Sequence, residues 1–271
     1  MNAPDLPLIL EADALEPILG NSGLLVVDLT KPATYAELHI PGAVYLDYGQ
    51  IIAIRKPTMG LLPETAELER IFSALGIDDS VHVVAYDDEG GGKAGRLLWT
   101  LEVMGHTRFS LLNGGLHAWA NEGHPLEQTA ATPSPRQFQA QPTTDPVADG
   151  DYIKQHLGDA GIALLDARSA DEYSGVKKYA EKAGHIPGAI NMDWLLALDQ
   201  QRNLRLKPDA DLEQMLTDLG IRKEHEVITY CHTHHRSSLT YVMLKAQGFP
   251  RVKGYPGSWS DWGNRPDTPI A

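Results

Sequence analysis

What most constrains this chain is that it is written twice. Leu24-Leu25-Val26-Val27-Asp28 is answered by Ile162-Ala163-Leu164-Leu165-Asp166, and His39-Ile40-Pro41-Gly42-Ala43 returns as His185-Ile186-Pro187-Gly188-Ala189. Val83-Val84-Ala85-Tyr86 matches Val227-Ile228-Thr229-Tyr230, and Gly114 to Trp119 falls on Gly257 to Trp262. Four anchors in one order, 138 to 146 positions apart, define a duplicated domain. A chain of 271 residues is long enough for two such domains, each with its own core. The expected division is residues 1–125, a proline-rich linker at 126–149 running extended over the surface, and a second domain at 150–271.

Each copy alternates short apolar runs with helical patterns. In the first, Leu24–Asp28, Ala43–Leu46, His82–Tyr86 and Phe109–Leu112 read as strands, rich in β-branched residues. Glu64–Leu75 and Ala94–Met104 carry helical spacing and stop at Gly76 and Gly105; Asp209–Leu219 and Ser237–Gln247 are their counterparts. This alternation predicts an α/β fold, with a mostly parallel sheet flanked by helices in each domain. The shared His-Ile-Pro-Gly-Ala segment reads as a turn, so His39 and His185 are expected to be structural.

Composition narrows the function. Hydrophobic content of 42% and charged content of 22% are those of a globular protein. A net charge of −13 with no basic block argues against nucleic acid and against an anionic membrane surface. Met1 to Asp5 offers neither a basic leader nor an apolar run, so a cytoplasmic protein is expected. The chain holds one cysteine, which excludes an intramolecular disulfide and any mechanism with a resolving thiol in the same chain.

That cysteine opens Cys231-His232-Thr233-His234-His235-Arg236, between the strand at Val227–Tyr230 and the helix opened by Ser237-Ser238. In α/β sheets ligands bind beyond the carboxyl ends of the strands, and the free N–H groups of a helix start favour negative charge. A thiol placed there, beside three histidines and an arginine, is expected to ionise readily and act as a nucleophile. No metal is expected, because side chains one or two residues apart in a tight loop splay outward. The first copy has Asp87 where the second has Cys231, followed by Asp88, Glu89 and Gly90 to Gly92. It has no nucleophile and is expected to be catalytically silent; its glycine run lacks the Lys-Ser/Thr ending of a phosphate loop.

These features together resemble the two-domain rhodaneses: tandem copies, Asp in place of Cys in the first, the His-Ile-Pro-Gly-Ala turn, and a strand–Cys loop–helix in the second. The Cys-x-Thr-His-His-Arg loop looks like that of a bacterial subgroup. The resemblance implies a sulfurtransferase that moves the outer sulfur of thiosulfate to cyanide or a thiol through a Cys231 persulfide, with no other cofactor. Arg236 is expected to offer its fork to the sulfonate, with His232, Thr233, His234 and His235 as further substrate contacts. Two departures are visible: the arginine that relatives often carry six residues after the aspartate is Glu172 here, and Thr233 stands where vertebrate enzymes have lysine. Arg168 is open between a buried pair with an acidic neighbour and a substrate contact, and Trp194 is expected in the core rather than at the pocket wall.

Other readings stay beside this one: a persulfide carrier serving an acceptor protein, a 3-mercaptopyruvate sulfurtransferase, or a phosphatase. The last requires a Cys-x5-Arg loop, and the Cys231-to-Arg236 spacing is one residue shorter. A monomer is expected.

Overall fold

The computed structural model of the protein describes residues 5–271; residues 1–4, part of the segment read as lacking a leader, lie outside it. By its contacts the chain separates into two units. One takes the chain up to Ile51 with Pro63–Thr143 and Asp199–Leu206; the other takes Ile52–Leu62, Thr144–Leu198 and Lys207–Ala271. Each unit therefore includes a short piece of the other sequence copy.

The first unit is built on a five-stranded sheet in the order Ile9–Leu10, Phe109–Leu112, His82–Tyr86, Leu24–Asp28, Val44–Tyr45, parallel throughout. The second has a four-stranded parallel sheet in the order Val252–Gly254, Glu226–Tyr230, Ile162–Asp166, Ile190–Asn191. Val147 extends it by a parallel bridge to Gly254. The strands at Leu24–Asp28, His82–Tyr86 and Phe109–Leu112 lie where the apolar runs place them.

The helices follow their spacing as well. Thr65–Leu75 buries Leu68, Ile71, Phe72 and Leu75 and stops at Gly76, whose φ of +90° suits glycine best. The helix read at Ala94–Met104 starts earlier and spans Gly92–Val103, because Gly91 turns the chain into it at φ +100°. The helix after the cysteine spans Arg236–Ala246 and buries every residue from Ser237 to Leu244. Buried all round, it keeps the positive end of its backbone dipole out of water, where that charge is least screened.

The segment after the first domain is extended, but its backbone is hydrogen-bonded along the first unit. His39 and Glu127 exchange backbone bonds of 2.9 Å, Arg136 pairs with Asp78, and Phe138 is buried edge-on to Phe72. The turn histidines are structural. His39 stacks on Tyr35 and bonds its carbonyl, and His185 does the same with Tyr173. Among the described residues no helix is long and apolar enough to cross a membrane.

Candidate active site

Strand Glu226–Tyr230 ends with Tyr230 opposite Asp166, and the next residue is Cys231, fully buried. The chain then turns back through His234, which adopts a left-handed φ of +51°, and enters the helix at Arg236. Three residues of a second helix, Ser258–Trp262, hold the loop from outside. The Ser258 hydroxyl accepts the N–H groups of Cys231 (3.2 Å) and His234 (3.0 Å). The N–H groups of Trp259 and Ser260 donate to the carbonyls of Cys231 and His232, both at 3.0 Å.

The other face of the loop is left to the sulfur. The N–H groups of Thr233 and Ser237 and the Ser237 hydroxyl donate to it, and the Arg236 guanidinium reaches it as well. Burial pushes the Cys231 thiol up, but the Arg236 charge and these donors outweigh it and draw the thiol from 9.0 down to about 7. A thiolate is thus available at neutral pH without contact with water.

The loop residues take different roles. Arg236 does not present a free fork: its two terminal nitrogens donate to the two oxygens of Glu172 at 2.6 and 2.9 Å. Glu172, which stands where relatives often carry an arginine, is thus the partner of Arg236. Burial opposes ionisation of Glu172, yet the Arg236 pair and the Ser169 hydroxyl hold its carboxyl down at about 2. The fork expected to meet the sulfonate is held by this pair. His234 is fully buried with Nδ1 2.8 Å from the Ser237 hydroxyl, not exposed on the loop's surface. Thr233 supplies its amide to the sulfur, and its carbonyl lies where Gly60 would carry a Cβ (2.2 Å away), at φ +75°. Only glycine allows so close an approach.

His232 and His235 are half-buried and flank the loop. The His232 ring stands 6.0 Å from that of exposed Tyr179, and the His235 ring 6.5 Å from that of Trp194. Burial and the Arg236 charge lower the pKa of His232. Trp194 is therefore beside the active loop, not in the core. Arg168 is settled as a buried pair: it donates to both oxygens of Asp166 and to the Gly184 carbonyl, and stacks over Trp259 at 4.4 Å. Sequence reasoning missed Ser237, Ser258, Glu172 and Gly60, since nothing in the loop's composition indicates which neighbours pin it. Among the described residues no three His, Cys, Asp or Glu side chains are grouped to hold a metal ion.

In the first copy the corresponding loop closes on itself. The Asp87 carboxylate accepts the N–H groups of Glu89 and Gly91 on one oxygen (3.0 and 2.8 Å) and of Lys93 and Ala94 on the other (2.9 and 3.0 Å). The amides that face the sulfur in the second copy match those of Glu89 and Lys93, so the same cradle exists twice and is filled by a side chain in one.

A parallel α/β domain with a low-pKa cysteine cradled by backbone amides at a strand end defines a thiolate enzyme of the kind that handles small anions. The comparisons agree with this geometry: residues 11–122 and 149–265 each match the rhodanese-like domain, and the chain belongs to the rhodanese family. It is 48% identical to the thiosulfate sulfurtransferase of Pseudomonas aeruginosa, covering 98% of this chain and 97% of that protein. It is 32% identical to the sulfur carrier protein TtuD of Thermus thermophilus over 88% of this chain and 86% of the relative. Among solved structures, the anaerobic ergothioneine biosynthesis enzyme of Chlorobium limicola superposes with a TM-score of 0.86 at 23% identity, over 97% of this chain and 69% of that one, a likeness of fold.

Proposed function

We propose that the protein is a thiosulfate sulfurtransferase working through a persulfide on Cys231. The thiolate attacks the outer sulfur of thiosulfate; a new S–S bond forms, and sulfite leaves with the electron pair of the old one. Cyanide then takes the outer sulfur as thiocyanate, or a thiol takes it, and the thiolate returns. No cofactor beyond the cysteine enters the cycle. The single observation that carries this reading is a fully buried cysteine at a strand end, in a loop pinned from outside and beside the Arg236–Glu172 pair, surroundings that draw its thiol down to about 7. A buried anion is stable only where donors replace water, and the same amides and Arg236 suit the persulfide anion that follows. Attack on a dianion needs the same positive surroundings. The name of the 48% identical relative supports thiosulfate as donor over 3-mercaptopyruvate.

A second reading, delivery of the sulfur to an acceptor protein, is favoured by the likeness to a sulfur carrier and by exposed apolar side chains near the loop, Tyr179 beside His232 and Leu195 after Trp194. We propose that the protein acts as a monomer in the cytoplasm. Thiosulfate with excess cyanide decides between the two readings. Rapid, continuous thiocyanate formation that disappears in a folded Cys231→Ala variant supports the enzyme. A persulfide that survives cyanide supports the carrier and contradicts the enzyme.

A further inference from the structure

Resting on Cys231 as the nucleophile, we propose that Ser258 is a positioning residue: its hydroxyl ties the amides of Cys231 and His234 to one point outside the loop and so fixes the turn that leaves the Thr233 and Ser237 N–H groups to the sulfur. The reasoning is one of peptide planes. In a trans peptide the C=O of one residue and the N–H of the next point in opposite directions. The Ser260 N–H holds the His232 carbonyl, which turns the Thr233 N–H the other way, toward the sulfur. The Ser258 hydroxyl holds the His234 N–H, and the Thr233 carbonyl at the other end of that peptide lies against Gly60. Without that hydroxyl the 233–234 peptide loses its outer anchor. The turn is then free to relax, and the Thr233 N–H is no longer fixed on the sulfur.

Two observations set this hydroxyl apart from an ordinary buried serine. Ser258 sits at φ +48°, a conformation that costs any residue with a Cβ, and it is fully buried. The first copy has glycine at the matching position, Gly115, at φ +53°, with no room for a Cβ beside the Asp87 carbonyl at 2.4 Å. There the loop is pinned from inside by the Asp87 carboxylate and needs no outer hydroxyl. In the second copy the inside belongs to the reacting sulfur, so the pin moves outside. The Ser258 hydroxyl is itself oriented, donating to the Tyr255 carbonyl at 2.7 Å, which leaves its lone pairs to the two amides.

The test replaces Ser258 by alanine and by glycine, the residue of the sister copy and the one that suits this backbone best. Alkylation of Cys231 by iodoacetamide is followed against pH, with sulfur uptake from thiosulfate measured in parallel. The expected result is folded variants whose alkylation midpoint lies about one pH unit above that of the wild type, with roughly five- to tenfold slower alkylation at neutral pH. Midpoints equal to the wild type's, or a Ser258→Gly variant that does not fold, overturn the proposal. If the wild type gains sulfur while the midpoints coincide, Ser258 alone is wrong. If the wild type gains none while the midpoints separate, the sulfur-transfer reading fails and the positioning role stands.

Discussion

A thiol cut off from water is ordinarily a weak acid, and the Cys231 site reverses that with one cation and a few N–H and O–H donors. The cation is itself held: Arg236 is fixed by Glu172, so the pair is a unit with the sulfur at its end. Arg236→Ala is expected to return the thiol midpoint from about 7 to 9.0 or above, since burial is then less opposed. At pH 7 the thiolate share falls roughly fiftyfold. The single change also strands the Glu172 carboxylate and destabilises the fold by about 3–5 kcal/mol. Arg236→Ala with Glu172→Ala removes that orphaned charge, so most of the stability returns and the reactivity does not. Thermal melts beside iodoacetamide rates separate the two effects; a double variant as reactive as the wild type contradicts the role given to Arg236. The sign with pH follows from the lowered thiol: ionisation contributes stability that is fully present above 9 and lost as pH falls through about 7, whereas reactivity, set by the folded thiol, falls around and below about 7.

The strand-to-helix loop is the element that separates the two copies. Asp87→Ala removes the carboxylate that gathers four amides in the first copy. It is expected to lower stability by about 2–4 kcal/mol, yet leave thiocyanate turnover per folded molecule within about twofold of the wild type. A chemical denaturation curve and a turnover assay check it together; loss of turnover in the folded variant contradicts a silent first copy. Much of this element was legible in the chain. The β-branched run of Val227–Tyr230 and the apolar spacing through Leu239, Val242 and Met243 place Cys231 at a strand end before a helix. The direction of Arg236 was not legible, because Glu172 lies far off in sequence and only the fold brings them together. Ser258 and Gly60 were hidden for the same reason: a positive φ or a close backbone approach leaves a glycine or serine in the sequence without saying what it faces.

At the scale of the whole molecule, the two units do not coincide with the two sequence copies. The unit that holds Cys231 includes Ile52–Leu62 from the first copy. That hairpin meets the Ser258–Trp262 helix through Met59, which exchanges hydrogen bonds with the Ser260 hydroxyl at 2.9 and 3.0 Å, and through Gly60 against Thr233. The unit that holds Cys231 is therefore built with a piece of the first copy's sequence, which a division at the repeat boundary conceals. The central claim, that the amide-cradled thiolate of Cys231 takes and holds sulfur, is tested most directly by intact mass before and after exposure to thiosulfate. The mass is expected to rise by one sulfur atom in the wild type, return to its starting value on adding cyanide, and stay unchanged in Cys231→Ala. No gain in the wild type, or an equal gain in Cys231→Ala, contradicts it.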